Sequence, residues 1–323
     1  MSVVPLEPMG SAAGAIEEGG PPIAVAPPRP ARRRPGLIPI DIAHALSAVL
    51  GKSIAAIREH EAGSRAGGNI ENVHQMRVAT RRIRAYLKAA EPALDESAAG
   101  RLRQDLSGLA RVLGTVRDLD VMIARLHAEA AALGRPDTAA LEALIGTLDA
   151  ERDRARTALI AQLDHPLHES LLAELDQAAA RPPVSNPWAD LSELGAREYS
   201  RLDKAQRRLA GKFDGNPPDD DLHALRILGK RARYAAELQP KSKPMSRFLQ
   251  ALADFQEILG DHQDASVLEE QLRAMVAASG EPAAAVAAGR VIEGGRRRKL
   301  AARAAYPPAW AAVAEAATAA YPA

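Results

Sequence analysis

Along the chain from Ile38 onward, apolar residues recur every three or four positions, as in "IDIAHALSAVLGKSIAAIREH", where leucines, isoleucines and alanines line one side of a helix. The same period continues through nearly all of the remainder. It predicts helices at about 39–64, 70–90, 96–113, 119–133, 137–163 and 167–180. "RPPVSNP", Arg181 to Pro187, interrupts the series with three prolines and marks an internal boundary. Helices resume at about 188–213, 219–239, 245–259, 264–279, 282–305 and 309–320. No stretch alternates as a strand would, so the expected class is all-α. Residues 1–36 are rich in proline and glycine, end in "PPRPARRRPG" and show no period; they read as a disordered arm whose Arg32, Arg33 and Arg34 are solvated. The expected organisation is this arm, a first helical half over 37–182 and a second over 183–323.

The two halves resemble each other. "VHQMRVATRRIRAYLK" (Val73 to Lys88) aligns without gaps to "LHALRILGKRARYAAE" (Leu222 to Glu237), matching His74 to His223 and Arg77 to Arg226. Arg81, Arg82 and Arg84 then match Lys230, Arg231 and Arg233. Downstream, "LGTVRDLDV" (Leu113 to Val121) matches "LGDHQDASV" (Leu259 to Val267). Two correspondences in one order and at nearly one separation point to an internal duplication of a unit of about 140 residues. Each "LG" segment reads as a helix stop and restart, with Gly114 and Gly260 at C-terminal caps and Asp118 and Asp264 as N-caps.

Composition adds limits. The 47% hydrophobic and 26% charged residues describe an ordinary soluble globular chain, and 42 basic residues are offset by 41 acidic ones for a net charge of +1. A uniformly basic coat is excluded, so the placement of charge is what matters. Without cysteine there is no disulfide, thiolate metal site or cysteine nucleophile. No apolar run is long enough to span a membrane, and the start has no basic region leading into an apolar one; a cytoplasmic location is expected.

Against that balance, Val73 to Lys88 holds a histidine, four arginines and a lysine with no carboxylate. At about 100° per residue, His74, Arg77, Arg81, Arg84 and Lys88 fall within an arc of about 80°, while Met76, Ile83 and Leu87 point elsewhere. The second copy places His223, Arg226, Lys230 and Arg233 on the same arc and ends it with Glu237. Like charges at this spacing repel by a few tenths of a kcal/mol per pair, so an isolated helix gains nothing from them. Most charged helical faces are solvated or salt-bridged, yet the recurrence of one carboxylate-free stripe suits an extended polyanion. Guanidinium groups donate forked hydrogen bonds to phosphate oxygens and stay charged at any relevant pH. His74 and His223 lack a second ligand three or four positions away, which disfavours a metal site; a phosphate hydrogen-bond donor fits their surroundings. Asp118, Asp120 and Asp264 are thin evidence for magnesium. In "GGRRRKLAARAA", Arg297 and Arg298 are candidates to extend a phosphate site.

These four ordered motifs resemble the CHAD family, the conserved histidine α-helical domain, from about Ile38 to the C-terminal region. The resemblance implies two antiparallel helical bundles related by a pseudo-twofold, basic surfaces converging on a groove, binding of inorganic polyphosphate without catalysis or cofactor, and association with polyphosphate granules. By position it implies His74, Arg77, Arg81, Arg82, Arg84, His223, Arg226, Lys230, Arg231 and Arg233 as binders, with Lys88 and Arg117 secondary. Relatives often carry a CYTH triphosphatase domain marked by a Glu-x-Glu-x-Lys strand; nothing in the first 36 residues matches it, so a stand-alone, non-enzymatic copy is expected. Two alternatives use the same charge. A nucleic-acid binder is disfavoured by an aromatic content of 3%, which leaves few stacking platforms. A metal-dependent phosphohydrolase using His74, His223 and the Asp118 or Asp264 region is disfavoured by ligand spacing.

Overall fold

A computed structural model describes residues 41–213 and 216–322. The expected N-terminal arm lies outside the described residues. The helices are α1 (Ile42–Ala66), α2 (Ile70–Ala89), α3 (Glu96–Ala131), α4 (Arg135–Asp164), α5 (Pro166–Ala180), α6 (Leu191–Phe213), α7 (Asp219–Glu237), α8 (Lys243–Ser279) and α9 (Pro282–Ala320). Among the described residues the fold is all-α; extended pairing is confined to one antiparallel bridge between Leu94 and Val184, which ties the end of the α2–α3 connection to the segment after α5. No described helix is long and apolar enough to cross a membrane.

Local chemistry sets the helix ends. Asp41, Asn69, Asp95 and Ser242 each precede a helix and accept a hydrogen bond from a first-turn backbone N–H. Prolines open α4, α5, α8 and α9, where a missing N–H costs nothing. Gly67 closes α1 at φ 80°, a left-handed turn in which its N–H bonds to the Gly63 carbonyl.

Three expected breaks are absent. α3 runs through Gly114 and α8 through Gly260, so Asp118 and Asp264 sit inside helices and cap nothing. A helix-interior glycine costs only about 1 kcal/mol. The buried row Leu106, Leu109, Leu113, Val116, Ile123 and Leu126 gains far more, at about 1.5–3 kcal/mol per large side chain. α9 likewise passes through Pro307 and Pro308. There Tyr306 and Val313 are buried on either side of the prolines, in the same core cluster as Phe248 and Phe255 of α8.

Helices follow one contact order twice: α1 on α2, α2 on α3 and α3 on α4, then α6 on α7, α7 on α8 and α8 on α9. Helix α5 packs on α1 and α3. One core gathers α1, α2, α3 and α5 with the end of α4, and takes in Leu191 and Leu194 of α6, Tyr234 and Ala235 of α7, and Leu238 just after α7. A second core fills the space among α6, α7, α8 and α9 around Phe248 and Phe255. A third joins the far halves of the α3–α4 and α8–α9 hairpins, through residues such as Leu126, Leu144, Leu272 and Val291. The described residues therefore form one compact unit.

Candidate functional site

Helices α2 and α7 touch directly. Toward their C-terminal ends the Tyr86 and Tyr234 rings meet edge to face, with centroids 5.5 Å apart, and the Tyr86 hydroxyl donates to Glu237 Oε2 at 2.6 Å. One helix turn and more back from this contact, the two basic stripes come within electrostatic reach of each other. Burial holds Arg226 below its ordinary pKa; Arg81 and Arg77 from the other half push the same way and Asp264 opposes them. Lys230 is pushed down to about 8, by burial first and then by Arg226, Arg81 and Arg77. Burial also lowers His74, with Arg117, Arg81 and Arg77 adding to the effect and Glu71 opposing it. The cluster thus combines His74, Arg77, Arg81 and Arg117 with Arg226 and Lys230.

Its polar atoms are not satisfied within the protein. His74 Nδ1, Arg81 Nε and Arg226 Nε are buried without a hydrogen-bond partner. Most buried polar groups in folded proteins are paired, and an unpaired one costs about 1–3 kcal/mol. Two orphaned guanidinium N–H donors and an unpartnered histidine nitrogen in one basic cluster form a place where an anion's acceptor oxygens would be well received.

The two "LG" segments supply the seats. A Cβ placed on Gly114 would lie 3.7 Å from Arg77 Nε, and one on Gly260 would lie 3.7 Å from Arg226 Nη2, so each arginine crosses its neighbouring helix over the corresponding glycine. Four residues beyond, Arg77 Nη2 reaches Asp118 Oδ1 at 3.3 Å, an ion pair open to solvent and therefore weak. Asp264, at the matching position, is exposed at its edge; crowding by protein atoms raises its pKa, Asp261 and Asp118 add to this, and Arg226 and Lys230 oppose it. His223 Nδ1 lies 2.8 Å from Gln263 Oε1, which orients the ring. Gln263 aligns with Arg117, so the first copy has a cation where the second has a neutral amide. The glycine seats and Gln263 lie within the repeated segment that the sequence reading assigned to caps.

Since a methyl group at either glycine makes only ordinary van der Waals contact, Gly114→Ala is expected to raise thermal stability by up to about 1 kcal/mol through helix propensity. Gly114→Leu, by contrast, displaces the Arg77 guanidinium. Melting curves and anion titration of the two variants check both statements.

Other candidates lie apart or are neutralised. Arg82 is half-buried beside Tyr86, and Arg84 is exposed. Lys88 binds Glu91 at 2.5 Å, a carboxylate shared with Arg103. Arg231 lies 3.2 Å from the buried Glu198, Arg233 bonds Glu237 at 2.9 Å, and Arg298 bonds Glu129 at 3.0 Å. Arg297 is 74% exposed, with Glu293 at 3.9 Å. Among the described residues no group of three or more His, Asp or Glu is arranged to hold a metal ion. A cleft of about 700 Å³ between α3 and α5, lined by Arg101, Glu174 and Arg181, is remote from the basic cluster.

The family model described as "CHAD domain" matches residues 48–273, a span that contains both basic helices and both glycine seats. The chain belongs to the CHAD domain family. Two uncharacterized proteins of Mycobacterium tuberculosis, MT2285 of strain CDC 1551 / Oshkosh and Rv2226 of strain H37Rv, are each 28% identical over 207 residues, or 62% of this chain. The match spans 39% of the length of those relatives. The crystal structure of the CHAD domain from the plant Ricinus communis superposes with a TM-score of 0.62 at 26% identity, covering 89% of this chain and 96% of that one. PptA from Streptomyces chartreusis has the same fold, with a TM-score of 0.67 at 24% identity over 84% of this chain and 98% of that one.

Proposed function

We propose that this CHAD domain binds inorganic polyphosphate in the groove between α2 and α7, without catalysis, and that it associates with polyphosphate granules in the cell. The observation that carries the reading is the meeting of cations from both halves: among the described residues no carboxylate forms an ion pair with Arg81, Arg226 or Lys230, although Asp264 lies within electrostatic reach of the last two, and buried guanidinium N–H groups are left unpaired. A linear chain of phosphates supplies many acceptor oxygens at close intervals and neutralises the mutual repulsion. His74, Arg77, Arg81, Arg226 and Lys230 make the contacts; His223, Arg82, Arg84 and Arg117 flank them. Lys88, Arg231, Arg233, Arg297 and Arg298 contribute to the surrounding field, since carboxylates already hold or flank them. The same arrangement supports an internal duplication, because Arg77 over Gly114 and Arg226 over Gly260 are one contact made twice.

Nucleic acid is the weaker reading of the same charge. The aromatic rings nearest the stripes, Tyr86 and Tyr234, are buried against each other and offer no face to a base. Calorimetric titration with polyphosphates of several lengths, at two salt concentrations and with DNA as competitor, tests the proposal. Tight binding that weakens with salt and resists DNA at equal phosphate concentration is expected; displacement by DNA at parity overturns it.

A further inference from the structure

Helix α6 carries a second cationic feature that apolar periodicity alone does not expose. Arg197, Arg201, Lys204, Arg208 and Lys212 fall within an arc of about 80° and advance about 22 Å along the axis. All five are exposed. The buried side of the helix, centred on Leu191, Leu202 and Leu209, lies about 100° round the axis from the ridge, so the basic ridge runs exposed along the flank of the helix beside the core. Among the described residues no carboxylate pairs with Arg197, Lys204 or Arg208. Each basic residue has another three or four positions away, the spacing at which like charges repel. Helix α1, which makes the matching contact in the first half, has no such ridge: Lys52, Arg58 and Arg65 are interspersed with Glu59 and Glu61.

The ridge is joined to the central groove. Lys230 belongs to the groove cluster, and the next residue of α7, Arg231, shares the buried Glu198 with Arg201 of the ridge at 3.2 and 2.5 Å. One carboxylate between two guanidiniums leaves net positive charge along the whole path. We propose that the α6 ridge is an outer track for the same polyanion, on which a long polyphosphate chain leaving the groove continues past Arg231, so that affinity rises with chain length. This rests on the groove reading given above. A lipid surface fits less well: the exposed Trp188 stands three residues before α6, but none of the exposed large apolar side chains lies along the helix itself, and a membrane-bound helix needs a row of such anchors beside its charges.

The test uses the full chain with Arg197→Gln, Lys204→Gln, Arg208→Gln and Lys212→Gln combined; all four sites are exposed, so the fold tolerates the change. Tripolyphosphate and long-chain polyphosphate are titrated against the wild type, this variant and a groove variant, Arg81→Ala with Arg226→Ala. The ridge variant is expected to lose about tenfold in long-chain affinity, with a shallower salt dependence, while binding of tripolyphosphate is unchanged. Unchanged long-chain affinity overturns the outer track. Loss of binding to phosphatidylserine vesicles with long-chain affinity intact assigns the ridge to membranes and equally overturns it. Failure of the groove reading gives a different result, namely tripolyphosphate binding that survives in the groove variant.

Discussion

Replacing Arg77, Arg81 and Arg226 together by alanine is expected to weaken polyphosphate binding by at least about a hundredfold, since each charge-assisted contact contributes about 1.5–3 kcal/mol. Stability should move the other way. The ligand-free protein holds Arg81 and Arg226 with buried, unpaired Nε atoms beside other cations, and their removal relieves both desolvation and repulsion. The triple variant should therefore melt at or above the wild-type temperature. A structural role for these arginines predicts the reverse, a lower melting temperature with affinity largely kept, so paired titration and melting separate the two. Arg231→Ala is a useful contrast, because it strips a partner from the buried Glu198 and should lower stability more than affinity.

The second large effect is on pH. Lys230 titrates at about 8, below the 10.5 of a free lysine. Its charge, and its share of the affinity, are full near neutral pH and fade as pH rises through about 8. Asp264 is shifted upward and loses its negative charge sooner on acidification, and His74 is shifted downward and gains its positive charge later. All three act in one direction, so affinity should fall steadily as pH rises, with the steepest loss near pH 8. Bound phosphate favours charged Lys230, so binding at that pH takes up a proton, measurable as a dependence of the binding enthalpy on the buffer. Lys230→Met should abolish the uptake. Stability of the free protein has the opposite sign: between about 8 and 10.5 the unfolded chain binds the proton that the folded chain has lost, so folding becomes more favourable as pH rises through that window. Affinity that is flat between pH 7 and 9 would remove Lys230 from the site.

The sequence made the all-helical class legible because nothing competes with the three-to-four spacing after Ile38, and it made the duplicated stripes legible because they repeat at one offset. Helix continuity was not legible at Gly114 and Gly260. A glycine followed four positions later by an aspartate has the chemistry of a stop and a restart, whereas in the fold the helices continue and the Arg77 and Arg226 side chains lie over these two glycines, within ordinary contact of a Cβ placed there. Neutralisation of the outer basic residues was partly hidden. Arg233 with Glu237 is an i,i+4 pair that spacing alone suggests, whereas Glu198 reaches Arg231, and Glu129 reaches Arg298, across the fold. The chain also uses its aromatic residues against the reading of a nucleic-acid surface in a way composition only hinted at, with Tyr86 and Tyr234 spent on each other.

The basic cluster is fastened on two sides: by Tyr86, Tyr234 and Glu237 where α2 meets α7, and by the core that clamps the far halves of the α3–α4 and α8–α9 hairpins. The spacing of its opposed cations is thus set by buried packing that no ligand touches. On the proposed reading, a supple polymer meets cations whose backbones the fold has already placed, so most of the ordering cost falls on the polymer and on the side-chain tips that grip it.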